Sequence, residues 1–207
     1  MKVAVPRFLV ITDTTIQTRY THAELAQRAI DGGADGIQLR DKGATGRRLL
    51  EAAEATRDVC AKAGVPFLVN DRVDIALATA ADGVHVGQDD LPAYVARRLL
   101  GPTAVVGVTA YTPSMARAAV DDGGDYAGFG PVFGTQSKVN ARPATGVRGL
   151  ADFASSCPLP VLAVGSIRAE SVPDLLDAGA YGVAVISAVC CAPNVTAAAR
   201  AFARLLS

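Results

Sequence analysis

Eight short runs of this chain are apolar on both faces, and each is followed by a stretch with helical spacing. A strand that is apolar on both sides must be covered on both sides, which is the condition of a parallel strand under packed helices. The runs fall at 8–12, 36–40, 66–70, 83–87, 105–109, 126–129, 160–165 and 182–186. The first helix opens THAE, with Thr21 and Glu24 spaced as a capping box. Further helices are expected near 45–63, 72–80, 92–99, 113–122, 146–155, 169–177 and 194–206. A small-residue turn recurs as GGADGIQL (32–39), AADGVHVG (80–87), GGDYAGFG (123–130) and AGAYGVAV (178–185), entering the second, fourth, sixth and eighth runs. Repetition on every second strand suits a closed ring of two-strand units. Eight βα units in 207 residues predict an α/β chain folded as a single-domain (β/α)8 TIM barrel over 1–207, near the compact end of that fold's range. An open doubly wound sheet is the alternative, but the turn after the first run, TDTTIQ, lacks the glycines of a dinucleotide-binding turn.

Composition excludes several classes. Hydrophobic residues at 50% and charged residues at 19% rule out disorder. Lys+Arg and Asp+Glu are 20 each, so there is no basic excess of the kind a nucleic-acid binder carries, and any anionic ligand must be held by a local cluster. Cys60, Cys157, Cys190 and Cys191 have neither CxxC spacing nor a nearby His, and are expected to be buried, reduced thiols. The N-terminal stretch is expected to be a first strand, not a signal peptide. The apolar stretch YGVAVISAVCCA is too short to span a bilayer. The expected setting is the cytoplasm and the expected partners are small molecules, with no nucleic acid and no membrane; a homo-oligomer is compatible with the sequence.

In a barrel of this kind the active site lies at the C-terminal ends of the strands, and polar residues collect there. Gln38, Arg40 and Lys42 alternate along the second strand end and share a face, whereas Leu39 faces the helices. Arg supplies a planar fork and Lys a point charge, a combination suited to phosphate oxygens. The third strand ends in Asn70 and Asp71, and the fourth in a turn with Asp89 and Asp90. Carboxylates from neighbouring strand ends can converge on Mg²⁺, which takes one or two of them and fills its shell with water and phosphate; the competing reading makes them helix N-caps. Thr109 sits at the rim of the fifth strand. The loop GPVFGTQSKVNARP after the sixth looks like a phosphate-gripping flap, with residues 134–142 expected to close over ligand. The turns at Gly165–Ser166 and Ile186–Ser187 are placed for a second anion site made of backbone N–H groups. A structural role is expected for His85, and a solvated position for His22.

The segments QLRDK, VNDRVDIALATAADGVHVGQDDLP, GVTAY, DYAGFGPVFGTQSK and GVAVISAV resemble the thiamine-phosphate synthases, in order and at matching spacings along the whole chain. That resemblance implies an enzyme that joins a hydroxymethylpyrimidine diphosphate to a thiazole phosphate, releasing pyrophosphate with Mg²⁺. It implies that Gln38, Leu39, Arg40, Asp41, Lys42, Asn70, Thr109 and Lys138 hold the pyrimidine diphosphate, and that Asp71 and Asp90 hold the metal. Thr135, Gln136 and Ser137, with Gly165, Ser166, Ile186 and Ser187, would hold the thiazole phosphate. Arg40, Lys42, Lys138 and Thr109 would act on the reacting groups, along a dissociative, carbocation-like path. Two positions depart from the family's pattern: its usual Gly-Gly-Ile is Gly165-Ser166-Ile167 here, and its usual Ser is Thr109. A thiazole tautomerase on the same barrel is the nearest rival, but its pattern lacks the paired aspartates. A non-catalytic phosphate sensor would have lost part of the charged set, which is intact here.

Overall fold

The computed structural model of the chain describes residues 3–134 and 142–206. Strands β1 (Phe8–Thr12), β2 (Gly36–Leu39), β3 (Phe67–Asn70), β4 (Gly83–Val86), β5 (Val105–Thr109), β6 (Tyr126–Phe129), β7 (Val161–Val164) and β8 (Gly182–Val185) pair in chain order, and β8 closes the ring on β1. Every pairing is parallel. Around them lie α1 (His22–Asp31), α2 (Gly46–Ala63), α3 (Val73–Ala78), α4 (Ala93–Leu100), α5 (Pro113–Asp121), α6 (Gly146–Ala154), α7 (Val172–Asp177), α8 (Ser187–Cys190) and α9 (Val195–Leu206). The expected barrel is present, and each strand falls within one residue of its expected ends. The short α8 was not expected; one turn is too brief to leave a periodic signal. The capping box of α1 is formed: the Thr21 N–H donates to the Glu24 carboxylate at 2.8 Å and the Glu24 N–H donates to the Thr21 hydroxyl.

The recurring turn has a structural cause. In three copies an Asp stands just before a strand and accepts a backbone N–H at the start of the preceding one. Asp35 takes the Phe8 N–H at 2.7 Å, Asp82 takes that of Phe67 at 2.8 Å, and Asp125 takes that of Val106 at 2.9 Å. These are strand-start donors that would otherwise lie unpaired under the barrel. In the fourth copy Tyr181 takes the place of the Asp, and its hydroxyl donates to the Val5 carbonyl at 3.1 Å, tying β8 to the chain entering β1. The repeat therefore secures the N-terminal end of the barrel and leaves the other end to chemistry.

Two apolar layers divide the core. The outward faces of the strands, including Leu39, pack against the helices in one continuous cluster. The inward faces are fewer: Leu9, Ile11, Leu68, Val105, Tyr126, Leu162 and Ala184 form the lower barrel interior. Glycines flank the bulky members. Gly107 pairs with both His85 and Tyr126, and Gly128 with both Thr109 and Leu162. A Cβ at Gly107 would overlap the Tyr126 ring, and one at Gly128 would stand 2.9 Å from the His85 ring. Side-chain-free positions let two large rings lie across one small barrel.

Two expectations are corrected here. His22 is buried, because the start of α1 lies under the end of β1. Its Nδ1 pairs with the Thr12 hydroxyl at 2.8 Å and its Nε2 with that of Thr14 at 3.2 Å. Burial pushes its pKa down, against an upward pull from Asp41. The cysteines are all unpaired, but only Cys60 and Cys190 are buried. Burial pushes both of those thiols up to about 12. Cys191 is exposed, because adjacent residues on one helical turn face different ways.

Candidate active site

At the C-terminal ends of the strands lies a cavity of about 540 Å³. Gln38, Arg40, Lys42, Asn70, Asp71, Asp90 and Thr109 all line it, so the convergence expected from their spacing is real. Leu39 and Asp41 do not. Leu39 packs outward among the helices, and Asp41 turns its carboxylate to the N–H groups of Gly43 and Ala44 and toward His22. Thr135, Gln136, Ser137 and Lys138, and with them most of the expected flap, lie outside the described residues.

The β2–β4 side is a set of paired charges. Arg40 forms an ion pair with Asp13, whose side chain is wholly buried at the end of β1. Asp13 also accepts the Thr15 N–H at 2.9 Å, so this carboxylate is fixed from two directions. A buried ion pair of this kind contributes little net stability but is costly to break from one side, about 3–5 kcal/mol. It holds the guanidinium in one place at the cavity wall. Lys42 reaches Asp71 at 3.0 Å from a more exposed position.

Asp71 occupies the left-handed region at φ +63°, with its N–H donating to the His85 carbonyl at 2.8 Å. An Asp pays a modest steric cost there, and non-glycine residues of this kind cluster at functional sites. The strained turn carries its carboxylate toward Asp90. Asp90 accepts the Gly87 N–H at 2.7 Å. Burial pushes its carboxyl up, and the facing Asp71 pushes the same way, against the Gly87 N–H and Lys42. The alternative reading of these aspartates as helix caps does not hold. The N-cap of α3 is Arg72 and that of α4 is Pro92, neither with a side-chain cap.

His85 points into the barrel and lines the cavity floor. Its Nδ1 lies 2.9 Å from the Tyr126 hydroxyl and its Nε2 2.9 Å from that of Thr109. Gln38 is 1% exposed, yet its amide lines the cavity and makes no side-chain hydrogen bond among the described residues.

Across the mouth, a second cavity of about 320 Å³ is bounded by Gly165, Ser166, Ile186 and Ser187. Val164, Gly165, Ala184 and Ile186 line both cavities, so the two share a wall. Gly165 has φ +108°, and a Cβ there would meet Pro131 at 2.6 Å. Ser166, which stands where the resemblance expects Gly, has φ +46°. It adopts the glycine-like conformation despite its side chain.

Sequence reasoning did not single out Asp13 or Tyr111, and reached Arg142 only as the end of the expected flap. Asp13 reads as an ordinary turn residue after β1. Its one signal was a carboxylate on the strand next to Arg40. Tyr111 and Arg142 line the cavity, with the guanidinium 4.5 Å from the ring centroid.

A closed βα barrel with charged side chains on one lip of its mouth and backbone turns on the other has the build of a TIM-barrel enzyme, whose site lies at the C-terminal strand ends. The chain belongs to the family whose model is described as thiamine monophosphate synthase, which matches residues 8–189. Relatives named thiamine-phosphate synthase include one from Salinibacter ruber, 50% identical over 92% of this chain and 84% of its own length. Another, from Methanocella arvoryzae, is 49% identical over 96% of this chain and 93% of its own. Among solved structures, the thiamine phosphate pyrophosphorylase of Pyrococcus furiosus superposes with a TM-score of 0.85 at 34% identity, covering 97% of this chain and 95% of that one.

Proposed function

We propose that this protein condenses 4-amino-2-methyl-5-hydroxymethylpyrimidine diphosphate with 4-methyl-5-(2-phosphooxyethyl)thiazole, or with its carboxylated form and loss of CO₂, to give thiamine phosphate and pyrophosphate. The observation that carries this reading is the opposed pair Asp71 and Asp90 with Lys42 and Arg40 beside it, in a cavity that shares a wall with a second anion-sized one. Two substrates bearing phosphate need two such sites. Neither a tautomerase, which needs one phosphate site, nor a sensor accounts for the paired carboxylates.

The donor set fits Mg²⁺. Two hard oxygen donors face each other, and among the described residues no third acidic, His or Cys ligand joins them. That leaves the remaining positions to water and diphosphate oxygens. When bound there, the ion supplies positive charge beside the leaving group.

The chain's own groups then have separate tasks. Arg40, held by Asp13, and Lys42 face the diphosphate and stabilise the charge that grows on it as the CH₂–O bond breaks and its electron pair passes to oxygen. Lys138 is assigned the same part. Gln38 and Thr109 orient the aminopyrimidine, whose electron-rich ring supports positive charge on the CH₂ carbon. The thiazole nitrogen, presented from the β7–β8 side, attacks that carbon. It carries no proton, so no general base is required. Mixing the two phosphorylated substrates with Mg²⁺ should yield thiamine phosphate and pyrophosphate in equal amounts by mass spectrometry. A folded protein that forms neither product sinks the proposal.

A further inference from the structure

Three side chains crossing the barrel floor, Tyr126, His85 and Thr109, form a hydrogen-bonded chain. Tyr126 is 1% exposed, and among the described residues its hydroxyl has one partner, Nδ1 of His85. A buried phenol hydrogen without an acceptor costs about 1–3 kcal/mol. The phenol therefore donates and Nδ1 accepts. Burial pushes the Tyr126 pKa up, so the proton stays on oxygen. An imidazole that accepts at Nδ1 is neutral and carries its one hydrogen on Nε2. Nε2 lies 2.9 Å from the Thr109 hydroxyl, which must accept from it. That hydroxyl has no second partner among the described residues and lines the cavity. Its own hydrogen is left to point at whatever the cavity holds.

The reverse polarity fails on the same count. If Thr109 donated to Nε2, Nδ1–H would point at the phenol oxygen, and the phenol hydrogen would have no acceptor among the described residues. Nor can the rings move to find one, because Gly107 and Gly128 lie against them with room for no more than a hydrogen.

We infer that Tyr126 and His85 are positioning residues that fix the Thr109 hydroxyl as a donor toward the cavity, so that the floor selects a heteroaromatic ligand presenting an unprotonated ring nitrogen there. This deepens the proposed function and rests on it for the ligand, since the aminopyrimidine ring has such nitrogens. Replacement of Ser by Thr at this position keeps the hydroxyl, and the β-branch narrows the rotamers available to it.

The test has two independent arms. The chain has two histidines. In ¹⁵N-histidine-labelled protein without ligand, with His22→Asn used to assign the signals, His85 should show the Nε2–H tautomer. An Nδ1–H tautomer or an imidazolium overturns the inference, whatever the enzyme turns over. In the second arm, Tyr126→Phe should raise KM for the pyrimidine diphosphate roughly tenfold, the scale of one hydrogen bond, with KM for the thiazole phosphate within about twofold of wild type. Thr109→Val should do at least as much. The double variant should be no worse than Thr109→Val alone, because Tyr126 acts only through that hydroxyl. Fully additive losses also overturn it. A wild-type protein that makes no thiamine phosphate overturns the functional reading alone, since the tautomer is read without substrate.

Discussion

The two lips of the barrel mouth are made of different materials. On the β2–β4 lip, side chains form the wall: Arg40, Lys42, Asp71 and Asp90, each set by an ion pair or a backbone N–H. On the β7–β8 lip, the turns themselves form the wall, at Gly165–Ser166 and at Ile186–Ser187 where α8 begins. The first kind of site is sensitive to charge and indifferent to small backbone changes. The second is sensitive to φ and nearly indifferent to charge.

The sharpest way to break this contrast is to remove one carboxylate charge without changing shape. Asp71→Asn and Asp90→Asn should each lower turnover by about two orders of magnitude or more, as loss of a principal charge stabiliser does. Calorimetry should find thiazole phosphate still binding both variants. Normal turnover at low Mg²⁺ would mean that these aspartates hold no metal. The mirror experiment is Gly165→Ala. A Cβ at φ +108° against Pro131 should raise KM for the thiazole phosphate by about tenfold and cost about 1–3 kcal/mol of stability by denaturant unfolding. The pyrimidine KM should move less.

A gentler probe of the same lip is Ser166→Gly. Ser166 already holds φ +46°, so the variant relieves strain without changing the path of the chain. KM for the thiazole phosphate should fall by no more than about threefold. Stability should stay within about 1 kcal/mol, because the relief is offset by the greater freedom of an unfolded glycine. A shift confined to the pyrimidine substrate would show that the two lips have been assigned the wrong way round.

The smallest expected effect concerns pH. In the metal-free fold the Asp90 carboxyl is held above its ordinary 3.8, by burial first and then by Asp71. The fold therefore keeps this proton more tightly than the unfolded chain does. Stability falls as pH rises from 3.8 through the raised folded value, and that loss is complete above it. Metal-free Asp90→Asn should melt above wild type at pH 7, by no more than about 3 °C given the partial exposure of the group. Below pH 3.8 the gap should close. Mg²⁺ should raise the melting temperature of wild type and not that of the variant.

The contrast between the lips also explains what could be read from sequence. The strands were legible because burial on both faces leaves eight apolar runs, and the charged lip because Gln38, Arg40 and Lys42 keep a strand's period of two. Asp13 was not, since a lone carboxylate after a strand reads as a turn until the neighbouring strand is seen to bring Arg40 against it. His22 misled for a related reason: the first turn of a helix is ordinarily wet, and only the end of β1 covers it. The turn-built lip showed itself in sequence only as glycines and serines, whose torsion angles no pattern of side chains reports. The direction of the hydrogen bonds from Tyr126 to Thr109 needs three strands at once.

The glycines beside the floor rings carry a consequence for how such a barrel can change over time. Position 107 cannot gain a side chain while 126 is Tyr, and 128 cannot while 85 is His. Each pair is locked into joint drift. Among relatives, a chain with Ala at 107 should lack the tyrosine at 126, and single replacements should survive selection only where the ring partner has already shrunk. A library that varies 107 and 126 together should recover folded members that two separate single-site libraries miss, and the new cavity floors found this way should be the ones that accept larger rings.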